Sequence, residues 1–113
     1  MSRYALIDPI LSQWAEARAL HWYTDYQDTE VRALYLRVER RDRVQVALAP
    51  PDNGQVAIRI GQNRNGLSRL SRLEILTVPV AELARGLDRA MDLADDWLSD
   101  SSVSTTVADS LKS

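Results

Sequence analysis

Hydrophobic positions along the chain change period twice, and the changes divide it into helix, sheet and helix. The stretch "DPILSQWAEARAL" places Ile10, Leu11, Trp14 and Ala17 at helical spacing, which predicts an amphipathic helix closing near Leu20. Asp8 is expected to cap its free N–H groups. Pro9 suits the first turn, where the missing N–H had no helical partner.

Beyond Leu20 the period drops to two. "LHWYTDYQ" sets Leu20, Trp22, Thr24 and Tyr26 against His21, Tyr23 and Asp25. "EVRALYLRVER" sends Leu34, Leu36 and Val38 to one face and Tyr35, Arg37 and Glu39 to the other. After the turn "RRDR", Val44, Val46 and Leu48 alternate with Gln45, Ala47 and Ala49. "PPDNG" is a tight turn, because Asn53-Gly54 tolerates positive φ. Val56, Ile58 and Ile60 then alternate with Ala57 and Arg59. Such short connections force antiparallel neighbours, since a parallel crossover needs a dozen or more residues.

The stretch from Gly61 supports two patterns. Leu67, Leu70, Leu73 and Leu76 recur every three residues, as in a helical turn. Period two across "SRLEILTV" instead predicts a fifth strand from about Arg69 to Val78, after a loop reaching about Ser68. That reading puts Leu73 and Ile75 on the core face. Helical period returns in "PVAELARGLDRAMDLADDWLSD", where Val80, Leu83, Ala84, Leu87, Met91, Ala94 and Leu98 form a stripe with Trp97 beside it. Gly86 inside this helix costs about 1 kcal/mol against Ala and points to close packing on a strand.

The expected fold class is α+β: a two-layer sandwich with an antiparallel meander sheet of four or five strands and both terminal helices on one face. Residues 1–98 make one domain, a normal size for one core. Residues 99–113, small and polar, read as a disordered Ser/Thr-rich tail.

Composition removes several chemistries. There is no cysteine, so there is no disulfide framework and no thiolate chemistry. His21 is the single histidine, and its nearest acid along the strand, Asp25, lies about 13 Å away. No metal-ligand spacing appears, and "GQNRNG" lacks the lysine and the following helix of a phosphate loop. The acids Asp88, Asp92, Asp95, Asp96 and Asp100 read as the solvated side of the last helix. A non-enzymatic protein without cofactor or metal is expected. It is placed in the cytoplasm, because no segment suits membrane spanning or targeting.

Charge is unevenly distributed. Residues 32–72 carry nine arginines against three acids, while 1–31 and 73–113 have net charges of −3 and −5. Acidic helices lying on a basic sheet would neutralise such a chain internally. Two surfaces become candidates. The sheet face away from the helices offers an alanine-centred patch rimmed by Tyr and Arg, with Tyr35, Arg37, Ala47, Ala57 and Arg59 as partner-binding residues. That suits an adaptor or chaperone-like domain, homodimeric or bound to another protein. The alternative is nucleic-acid binding by Arg59, Arg64, Arg69 and Arg72.

Overall fold

A computed structural model describes residues 3–38, 42–63 and 70–111. Helix α1 (Asp8–Glu16) precedes five strands: β1 (Tyr23–Tyr26), β2 (Thr29–Val38), β3 (Asp42–Leu48), β4 (Gln55–Asn63) and β5 (Leu70–Pro79). A 3₁₀ turn (Val80–Glu82) then leads into α2 (Leu83–Leu111). The strands form one sheet in the order β1-β2-β3-β4-β5, every neighbouring pair antiparallel. This is the expected α+β meander with two helices, and the period-two reading of 70–79 is the correct one.

Two tight turns follow from left-handed backbone. Asn53 and Gly54 have φ of 53° and 76°, and join β3 to β4 through the Asp52–Gln55 bridge. Gln27 and Asp28, with φ of 48° and 64°, make the equivalent two-residue link between β1 and β2. The second lacks glycine, which is why the sequence pattern alone did not mark it.

Register decides what each face receives, because directly opposed residues share a face. One row runs Leu34–Val46–Ile60, another Leu48–Ile58–Leu76, and Val56 opposes Val78. These side chains meet Ile7, Leu11 and Trp14 from the first helix and Leu83, Leu87, Ala90, Ala94 and Leu98 from the last. The buried stripe of α2 therefore includes Gly86 and Ala90, whereas Ala84 is exposed. A Cβ at Gly86 would lie 2.9 Å from Ile58 Cδ1 and 3.1 Å from both Val78 methyls, so the glycine lets helix and sheet approach.

Helix α1 starts and ends differently from expectation. Ile7 is its N-cap and no side chain caps it. The Asp8 carboxylate instead accepts from Arg32 Nε at 2.8 Å and Nη2 at 3.0 Å, two charge-assisted bonds that outweigh one cap. The helix stops at Glu16, and Ala19 (φ 55°) turns the chain with Leu20 N–H donating to the Ala15 carbonyl at 2.9 Å. That is a Schellman closure made with Ala where Gly is usual. Helix α2 continues to Leu111, through residues read as tail.

Polar bonds pin the two layers. Arg32, buried on the core face, has its guanidinium carbon 4.5 Å from the Tyr4 ring centroid and is neutralised by Asp8 of the N-terminal helix. Asp88 on α2 accepts from Trp14 Nε1 at 2.9 Å and pairs with Arg18, so one of the acids assigned to a solvated face is a tie between helices. Trp22 Nε1 donates to the Leu11 carbonyl at 3.1 Å.

Tyr4 is buried, and its hydroxyl donates to the Leu48 carbonyl at 3.1 Å. Burial pushes its phenol above the ordinary 10.0, against the pull of Arg3 and Arg32. The unfolded chain sheds this proton first. The contribution is therefore complete below pH 10.0 and is lost as pH rises through the higher folded value. Tyr4→Phe is expected to cost about 1 kcal/mol at neutral pH through the lost hydrogen bond. Urea unfolding should show the gap to the parent narrowing above pH 10, whereas a constant gap would refute the assignment.

Candidate functional site

The face away from the helices is the candidate site, and the register builds it row by row. Tyr23, Ala33, Ala47, Arg59 and Ile75 lie directly opposite one another across all five strands. The next row is Tyr35, Gln45, Gly61 and Leu73, and Ala57 opposes Thr77. Leu73 and Ile75 thus sit here, not on the core face as sequence alternation suggested, and are 48% and 58% exposed. The strand carries apolar residues at both parities: Leu73 and Ile75 at one, Leu76 and Val78 at the other. Pairing with β4 gives Leu76 and Val78 to the helices, because they oppose Ile58 and Val56.

A second correction concerns β1. Its register slips between Tyr23 and Asp25, and Tyr26 pairs with Thr29 on the same side as Ala33 and Tyr35. The bulge puts Tyr26 beside Tyr23 on this face, not with Trp22 and Thr24. Tyr23 is 53% exposed and Tyr26 63%. Of the five large exposed apolar side chains in the described residues, four therefore share this face; the fifth is Leu6.

The tyrosine end is preorganised. The Tyr23 ring meets Tyr35 edge-on at 5.5 Å and His21 at 5.7 Å. Gln45 Nε2 donates to the Tyr35 hydroxyl at 3.1 Å. These contacts fix the rings around a groove of about 580 Å³, floored by Ala33 and Ala47 and flanked by Tyr23, Tyr26, Tyr35 and Asp25. His21 is thus held in an aromatic contact and is not paired with Asp25.

The sequence-derived partner set is partly assembled. Tyr35, Ala47, Ala57 and Arg59 share the face, with Arg59 exposed between Ala47 and Ile75. Arg37 occupies β2 opposite Arg43, and its side chain lies outside the described part. The alternative arginine set is divided. Arg59 is on the open face, whereas Arg72 lies on the helix side with its guanidinium carbon 5.7 Å from the Trp97 ring centroid. Arg64 and Arg69 lie outside the described residues.

A smaller groove of about 420 Å³ lies between α1 and β1–β2, lined by Asp8, Ser12, Glu16, His21 and Arg32 among others. Its most buried charge, Arg32, is already engaged by Asp8 and by the Val31 carbonyl. Among the described residues no three His, Asp or Glu side chains gather as a metal site, and no helix is long and apolar enough to cross a membrane. Comparison with family models, curated proteins and solved structures finds no match to this chain.

Because Ile75 is more than half exposed on the open face, Ile75→Thr is expected to change folding stability by less than about 0.5 kcal/mol. It should also lower binding of an apolar fluorescent dye. A loss of several kcal/mol in chemical denaturation would place Ile75 in the core.

Proposed function

We propose that the protein is a small non-enzymatic interaction domain, adaptor-like or chaperone-like, cytoplasmic and homodimeric, that holds a protein partner on its open sheet face. The observation carrying this reading is the convergence of Tyr23, Tyr26, Leu73 and Ile75 on one face around Ala33, Ala47 and Ala57. An uncovered antiparallel sheet ordinarily presents polar alternation. Contiguous apolar surface with ordered tyrosines marks an interaction site.

The chemistry of the face specifies the partner. Small residues at the centre admit a close-lying backbone or another flat surface. Tyrosines at one edge and aliphatics at the other supply anchors with little entropy to lose. Arg59, exposed between them, calls for an acidic group. A segment alternating apolar and acidic side chains meets all three demands. Nucleic-acid binding takes second place, because Arg59 and Arg72 occupy opposite sides of the sheet and do not form one stripe.

Affinity capture from native lysate tests the reading, with Ala47→Arg as the matched control. The parent chain should retain proteins that nuclease treatment leaves bound, and Ala47→Arg should lose them while keeping the parent circular dichroism. Retention abolished by nuclease, or unchanged by the substitution, would contradict it.

A further inference from the structure

The two edges of the sheet are built differently. Strand β1 has four residues and is interrupted by a bulge, two devices that discourage further pairing. Strand β5 has ten residues, and its one register shift lies near its start, where Ser71 is left out between the Gln62–Arg72 and Asn63–Leu70 pairs. Its one proline is the last residue, Pro79. From Arg72 to Val78 the pairing with β4 is regular, so the outer backbone of β5 offers an even row of N–H and C=O groups there, with Leu73 and Ile75 exposed beside it. An edge of that length and polarity is a pairing template.

We propose that β5 is the self-association edge: two copies pair β5 to β5 in antiparallel fashion across a two-fold axis at Leu73, extending the sheet to ten strands. The occupant is a second copy because the strand complements itself. Arg72 and Glu74 lie two residues apart, on the helix side of the sheet. A two-fold perpendicular to the sheet keeps each face with its own kind, so only residues of equal parity can oppose one another. Centring on Leu73 sets Arg72 opposite Glu74 twice, and Leu73 against its own copy. Centring one residue earlier or later opposes Arg72 to Arg72 or Glu74 to Glu74. Centring on Ile75 leaves Glu74 opposite Leu76. Charge therefore selects the register.

Regular pairing covers Arg72 to Glu74 of each copy, and the strand of one copy runs on from Ile75 beside the Ser71 bulge of the other. Both helix layers then lie on one side. The two β4 strands stand about 14 Å apart, three strand spacings, which leaves room for an α2 from each copy side by side. On the other side the open faces become continuous, with Leu73 and Ile75 of both copies at the centre. This inference rests on the homodimer part of the proposed function. It assigns that dimer to the edge and leaves the open face for the partner.

Multi-angle light scattering across a dilution series of the full chain decides the matter. The parent should pass from twice its 12.8 kDa mass to the monomer. Glu74→Arg should raise the dissociation constant by about tenfold or more, since two opposite-charge pairs become like-charge pairs. The double variant Arg72→Glu with Glu74→Arg should restore the dimer, because exchanging both charges recreates both pairs. Ala47→Arg should leave it intact. Leu73→Lys, which opposes a charge to itself and spares the Arg72–Trp97 contact, should give the monomer. A dimer indifferent to Glu74→Arg and Leu73→Lys but broken by Ala47→Arg would overturn the edge assignment and keep self-association through the open face. A parent monomeric at every concentration would overturn the homodimer itself.

Discussion

Two helices can cover only one side of a five-stranded sheet, and the pairing register decides which residues that side receives. With Leu34 opposite Val46 and Ile60, and Ile58 opposite Leu48 and Leu76, one parity of every central strand is committed to the helices. A slip of one residue would turn the whole aliphatic set outward. The same commitment sends Tyr23, Ala33, Ala47, Arg59 and Ile75 the other way. The core and the candidate site are thus two consequences of one set of backbone pairings. Gly86 sharpens the first by letting α2 sit against Ile58 and Val78 without an intervening Cβ.

Charges organise around that frame. Arg32 occupies a core-face position that alternation would give to an aliphatic residue, and it is held by Asp8, by the Val31 carbonyl and over the Tyr4 ring. Removing either partner of such a pair would leave a charge poorly compensated, so the contact fixes where α1 lies on the sheet. Arg18 and Asp88 make a more exposed tie between the helices. The basic middle and acidic ends of the chain are therefore partly an internal arrangement, and among the described side chains of the basic middle Arg59 is the exposed one on the open face.

Much of the fold was legible because its central strands obey strict alternation. Val44, Val46, Leu48, Val56, Ile58 and Ile60 read as one buried face and are one. Asn53-Gly54 announced its turn. Strand β5 was misassigned by face because Leu73, Ile75, Leu76 and Val78 are apolar at both parities, so only pairing with β4 can choose between them. Tyr26 was placed on the wrong side because a bulge inserts a residue without a compositional signal. Asp8 read as a cap because the sequence does not reveal that Arg32, 24 residues on, comes within reach. Of the site, Tyr35, Ala47, Ala57 and Arg59 were legible from alternation alone. Tyr23 was legible in the same way, whereas Leu73, Ile75 and Tyr26, the other large exposed apolar side chains of the face, needed the register.

The central claim is that this face is open and apolar. Hydroxyl-radical footprinting of the native chain tests it directly. Tyr23, Tyr26, Leu73 and Ile75 should be labelled fast, and Ile58, Leu76 and Val78 slowly. Rapid labelling of Leu76 and Val78 with protection of Leu73 and Ile75 would mean that β5 presents its other parity to solvent, and the account of both core and site would fail.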